Sequence, residues 1–209
     1  MEKKHFAIPL SRIEAFSDGV IAIIITLMIL SIKVPVIDNR DSSAIVWLKL
    51  YNMFQPFVAY LLSFIMVGVL WVNHHQFVRQ LKHADRQLLW HNLHLLFWMS
   101  LIPIPTNFLG QNFEKPELTA LYGFVMFMCA LSFFLMREYV NKHHHLFIEN
   151  LSSELKKKAR KKLGLSTFLY FISIFVGYIS VYISLAIFVG IAVMYFMPTN
   201  IEIKESEQE

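Results

Sequence analysis

The chain has 209 residues, of which 56% are hydrophobic and 15% aromatic, with a formal net charge of +4 at pH 7. A soluble domain is usually about 45–50% apolar, so the excess calls for a bilayer as a second apolar solvent and excludes an ordinary soluble fold. Cys129 stands alone in the sequence, which excludes an internal disulfide framework.

Apolar windows of about 20 residues mark roughly six spans. At the start, Lys3 and Lys4 are followed by Arg12, Glu14 and Asp18 and by no small-residue cleavage pattern, so this end does not read as a signal peptide. The first span covers about Ile13 to Val34 and the second about Tyr51 to His74. The third, about Leu88 to Leu109, carries Pro103 and Pro105 and is expected to kink or stop early. The fourth covers about Leu118 to Met136. Gly164 to Pro198 is almost continuously apolar, too long for one crossing of a core about 30 Å thick. Two short spans with a turn near Tyr178–Ser184 are expected there.

Charge sets the topology. Of the 19 Lys and Arg residues, all but Lys33, Arg40, Lys49 and Lys115 fall on one side if both termini are cytoplasmic, a strong positive-inside bias. The run KKKARKK, inside an expected cytoplasmic loop of about 137–163, reads as a lipid-facing basic segment and not a nucleic-acid site. The tail of about 199–209 is acidic and expected to be disordered. The whole chain, 1–209, is therefore read as one all-α integral membrane domain in the cell membrane.

The first span is unusual at its base. Its uninterrupted apolar part, Gly19 to Ile32, rises only about 21 Å, so Arg12, Glu14, Ser17 and Asp18 must lie close to the hydrocarbon. An ionisable group there costs about 2.5–3.5 kcal/mol on insertion scales unless it meets protein or water. On a helical wheel Ile23 shares a face with Phe16, Leu27 and Leu30, Thr26 borders it, and Asp18 points about 140° away. Partners for Arg12 and Asp18 are expected at the inner end of the second span, from Trp71, Asn73, His74 and His75. That group reads either as a packing network or as a proton or ion relay, and either histidine could make the contact.

The segment RIEAFSDGV carries an R-x-x-x-F-S-D pattern. With the histidine-bearing end of the second span, it resembles the family of the lysosomal and endosomal potassium channel, transmembrane protein 175, over essentially the whole chain. The resemblance implies a prokaryotic member carrying one copy of a repeat that animal members carry twice. It implies a homotetramer whose first helices line a central pore, without a carbonyl filter; nothing like TVGYG occurs here. Carried over by position, the apolar constriction falls on Ile23, with Leu27 and Leu30 above it and Thr26 as a hydroxyl in the permeation path. Arg12, Phe16, Ser17, Asp18, Trp71, Asn73, His74 and His75 become the support network of the pore helix. The expected function is a leak-like, potassium-preferring channel, with potassium as the permeant ion, no cofactor, no metal and no enzymatic activity.

Two rivals remain on residues alone. A cation- or proton-coupled secondary transporter would use Asp18, and the break at Pro103–Pro105 is compatible with it. An intramembrane metalloenzyme would draw on His91 and His94 at i, i+3, but no clear third ligand or catalytic acid accompanies them.

Overall fold

The computed structural model describes residues 9–30, 32–148 and 152–196. Lys3, Lys4, Lys204 and the whole of the acidic tail lie outside these. Among the described residues every regular element is helical: α1 (Leu10–Leu30), α2 (Ser43–Tyr51), α3 (Phe54–Val78), α4 (Arg86–Ser100), α5 (Pro103–Gln111), α6 (Pro116–Lys142), a 3₁₀ turn (His144–Leu146), α7 (Ser153–Val176) and α8 (Val181–Phe196). These make six crossings, because α2 continues into α3 and α4 into α5.

Four of the crossings are long and apolar enough to span a bilayer by length and composition: 10–30, 43–78, 86–111 and 116–142. The 25 residues of α3 alone rise about 37 Å, so α2, which buries no side chain, extends that crossing at its N-terminal end. The last two crossings do not meet both measures: α8 is short, and the 24 residues of α7 are only partly apolar. α7 begins with charge, and its apolar part packs beside the 16 residues of α8.

The prolines act on the third crossing as its sequence predicts. Pro103 and Pro105 have no N–H to donate to the carbonyls of Met99 and Leu101. Ile102 and Ile104 supply those hydrogen bonds instead, at 3.1 Å each, one residue tighter than an α-helix. The helix is therefore interrupted between Ser100 and Pro103 while the carbonyls of Met99 and Leu101 stay paired.

Two sequence expectations shift. The turn in the last apolar stretch is Gly177–Ser180, at the early edge of the expected window. The basic run is not a loop: Arg137 lies within α6, and Lys156 to Lys162 occupy the first turns of α7, whose Ser152 cap accepts from Glu154 N. Lys, Arg and Ala are good helix formers, and this end lies beyond the apolar stretch.

The core lies where α6 meets α4, α7 and α8, and where α3 meets α5, with Tyr122, Phe77, Phe188 and Met126 fully buried. Tyr122 packs against Phe188 with tilted rings, 5.0 Å between centroids. Gly123 permits the closest approach of α6 to α7, since a Cβ there would stand 2.9 Å from Ser173 Oγ. Gly177 also lies in close quarters, whereas Gly68 and Gly190 have nothing within 4 Å in the subunit. We expect Gly123→Leu to destabilise the purified protein by about 1–3 kcal/mol through overpacking. Gly190→Leu should leave the thermal midpoint nearly unchanged.

Candidate functional site

The base of α1 is held by three polar ties. Glu14, Ser17 and Asp18 stand at i, i+3 and i+4 and so share one helix face. Asn92, buried on α4, donates from Nδ2 to Ser17 Oγ at 3.0 Å, while its Oδ1 stands 2.8 Å from His74 Nε2 on α3. Trp71 Nε1 donates to Asp18 Oδ1 at 2.8 Å. His75 Nδ1 lies 3.3 Å from Glu14 Oε1, within ion-pair reach but not aligned as a hydrogen bond, and its ring stacks on Trp71. Ser17, His74 and Asn92 are buried, so each polar atom they pair is one that water does not serve.

The question of which histidine contacts the motif therefore has two answers. His74 reaches Ser17 through Asn92, and His75 meets Glu14. Three other expected members stand apart from this network. Arg12 is exposed and makes no side-chain hydrogen bond or ion pair among the described residues. Asn73 turns back to its own helix, donating to Val69 O at 2.7 Å. Phe16 lies on the opposite, bare side of α1.

Asn92 escaped the sequence reading. Its signal was present, a carboxamide amid the apolar residues of LLWHNLHLLFW, but His91 and His94 beside it drew the attention. Those histidines part company: His91 packs against the Tyr139 ring at 5.0 Å, and His94 accepts from Trp98 Nε1 at 3.0 Å. Among the described residues, no three His, Cys, Asp or Glu side chains are grouped to hold a metal.

The helix that carries Asn92 is itself capped. Asp85 Oδ1 accepts from Leu88 N, and Tyr139 Oη donates to Asp85 Oδ2. Partial burial works to raise the Asp85 carboxyl, but these two hydrogen bonds, with His143 and His145 nearby, outweigh it and hold the group below its ordinary value.

The other side of α1 is bare. Ile13, Ser17, Ile21, Ile24 and Met28 are buried against the subunit, whereas Phe16, Ile23, Leu27 and Leu30 are 54%, 58%, 51% and 77% exposed. Thr26 is exposed beside them, its hydroxyl donating to the Ala22 and Ile23 carbonyls at 3.1 and 3.0 Å. Along the flank run Ala15, Gly19, Ala22 and Thr26, all exposed and small, at helical spacing.

A helix with a charged base clamped by two neighbours, and an unclothed apolar face above it, defines a polytopic membrane protein that presents its first helix outside the subunit. Comparison with known proteins agrees. The family model described as endosomal/lysosomal potassium channel TMEM175 matches residues 12–103. A Chryseobacterium protein named as a potassium channel is 35% identical over 90% of this chain and 92% of its own length. A Streptomyces collinus protein, also named as a potassium channel, is 32% identical over 88% and 90%. The crystal structure of a lysosomal potassium-selective channel homologue from Chamaesiphon minutus superimposes with a TM-score of 0.75 at 27% identity, covering 91% of this chain and 98% of that one. This chain belongs to the TMEM175 family.

Two measurements test the clamp. Asn92→Leu strands Ser17 and His74 in an apolar setting and should lower stability by about 2–4 kcal/mol in denaturation of the purified protein, against about 1 kcal/mol for Ser17→Ala. The Asp85 cap has a depressed carboxyl, so its contribution is complete above the ordinary value near 4 and is lost as pH falls through its lower folded value. Asp85→Asn should therefore flatten the part of the acid-stability profile below about pH 4 and leave the profile above pH 5 parallel to wild type.

Proposed function

We propose that this chain is the subunit of a potassium channel of the cell membrane, assembled as a homotetramer with α1 of each copy lining the pore. Ile23 forms the constriction, Leu27 and Leu30 line the path above it, and Thr26 offers a hydroxyl oxygen to the permeating ion. The observation that carries this reading is the bare apolar face of α1, set opposite its polar clamp. The small residues Ala15, Gly19 and Ala22 on its flank support close approach of α1 helices from neighbouring copies. The relatives' names supply the ion.

A ring of isoleucine side chains offers no oxygen ligands. A cation passes with part of its hydration shell or sheds it without replacement, and such a constriction also gates by dewetting. Potassium holds its water less tightly than sodium, so the ring favours potassium, by less than a carbonyl filter would. The Glu14, Ser17 and Asp18 ties set the rotation and tilt of α1 and do not touch the ion. The distribution of Lys and Arg supports cytoplasmic termini, which puts the clamp at the inner end of the pore. No part of this mechanism calls for enzymatic chemistry, a metal or a nucleic-acid partner.

Ile23→Asn should abolish most of the potassium preference and raise cation flux in reconstituted vesicles under opposed potassium and sodium gradients. Flux indifferent to Ile23, coupled to a counter-ion and lost in Asp18→Asn, would replace the channel with a transporter. Assembly has its own test. Gly19 has nothing within 4 Å in the subunit, so Gly19→Leu should keep the helical content while light scattering shows the tetramer dissociating. A tetramer unchanged by that substitution would remove α1 from the subunit interface.

A further inference from the structure

The basic run at the start of α7 separates into two sets. Arg160 Nε lies 2.7 Å from Glu138 Oε1 on α6. Lys156 Nζ stands 4.2 Å from the Phe147 ring centroid and Lys162 Nζ 4.8 Å from that of Tyr195 on α8. Those three cations are engaged within the fold. Lys157, Lys158 and Lys161 are exposed and make no side-chain hydrogen bond or ion pair among the described residues.

Helical spacing continues the line of Lys157 and Lys161 through Leu165, Phe168 and Phe175. These apolar side chains are 49%, 58% and 58% exposed. Gly164 lies at the edge of the stripe, where a Cβ would stand 3.7 Å from the Phe134 ring of α6. One outward surface thus passes from unpaired ammonium groups to bare aliphatic and aromatic groups within a few turns. It lies across the subunit from the proposed pore, for α7 packs on α6 and α8 whereas α1 packs on α3, α4 and α5.

We propose that this surface is a binding site for an anionic phospholipid. The headgroup phosphate sits among Lys157, Lys158 and Lys161, and an acyl chain lies along Leu165, Phe168 and Phe175. Among the described residues no carboxylate forms an ion pair with these three cations, which favours a headgroup of net negative charge over a zwitterionic one. The apolar stripe directly beyond them distinguishes a lipid from a free anion. The site makes no use of the pore residues and stands or falls apart from the channel reading.

The test titrates phosphatidylglycerol into full-length protein held in zwitterionic lipid. Binding is read from the thermal midpoint and from bound lipid counted by native mass spectrometry. Each lysine near an anionic surface contributes about five-fold in affinity, so the triple variant K157Q/K158Q/K161Q should need on the order of 100-fold more phosphatidylglycerol for half-saturation. Added salt should weaken wild-type binding and scarcely alter that of the variant. Phe168→Ser should weaken binding while keeping the salt dependence. If the triple variant melts early before any anionic lipid is added, the lysine-to-arginine triple decides instead, and it must bind as wild type does. Equal binding by wild type and the glutamine triple overturns the proposal. So does equal binding of phosphatidylcholine and phosphatidylglycerol. Stabilisation reproduced by inorganic phosphate alone overturns it too, leaving a simple anion site.

Discussion

One carboxamide sets the geometry of the rest. Asn92 sits among apolar side chains, where an unpaired amide costs a large part of its lost hydration, and it is satisfied only when α1, α3 and α4 meet in a single register. Its partners are Ser17 on α1 and His74 on α3. Ile23 lies six residues beyond Ser17, about 120° around the helix. Once Ser17 is turned toward Asn92, Ile23 and Leu30 are turned away, and Leu27, about 80° from Ser17, falls on the border of that outward face. The Trp71–Asp18 bond and the Glu14–His75 pair, on the same face, prevent α1 from rotating about the single contact.

Polar ties carry this weight because of where the protein lives. Between helices in lipid, burying apolar surface gives little preference, since acyl chains are as apolar as leucine. Close contacts and hydrogen bonds must choose the arrangement. α3 is accordingly fastened at two depths. Near its C-terminal end it meets Asn92; toward its N-terminal end, Thr106 Oγ1 on α5 donates to Ser63 Oγ at 2.8 Å, and Ser63 Oγ to Tyr122 Oη on α6 at 3.2 Å. The helix break before Pro103 lies between Asn92 and Thr106 in the chain, so α4 and α5 each keep a separate tie to α3. Gly110 lets α5 come close, where a Cβ would stand 3.0 Å from Pro56 Cα on α3.

Much of this was legible in the sequence, for identifiable reasons. Bilayer thickness makes the spans visible as runs of apolar residues, and prolines cannot donate, so the broken third crossing could be foreseen. Helical period grouped Phe16, Ile23, Leu27 and Leu30 on one apolar face of α1, but Ile13, Ile21, Ile24 and Met28 make a second such face, and period alone does not say which of the two is bare in the subunit. The network was only half legible. Ser17, Asp18, Trp71, His74 and His75 stood out as polar residues at helix ends, but Asn92 is 75 residues from Ser17 in the chain, and no periodicity encodes which helices become neighbours. Arg12 and Asn73 show the converse error. Polarity marked them as partners, yet one remains at the surface and the other is satisfied by its own backbone. The charge run misled in a different way: seven residues dense in Lys and Arg suggested a solvated loop, when half of its cations find Glu138, Phe147 and Tyr195.

The clamp and the bare face are two requirements of one helix. Ionisable groups near the hydrocarbon are tolerated only against protein or water, and Glu14 and Asp18 find protein. A purely lipid-facing helix would have no use for them, since Ile13, Ile21, Ile24 and Met28 already bury it against the subunit. In the proposed channel they have one. A constriction of bare isoleucines discriminates by diameter alone, and diameter depends on the rotation and tilt of each contributing helix. Apolar packing permits both to drift, because one hydrocarbon contact resembles another. Directional bonds at the base do not, and they can lie well below Ile23 because a helix transmits rotation rigidly over a turn or two. On the proposed reading, the polar turns that disrupt the first span are thus what would hold a pore with an apolar constriction at a defined width.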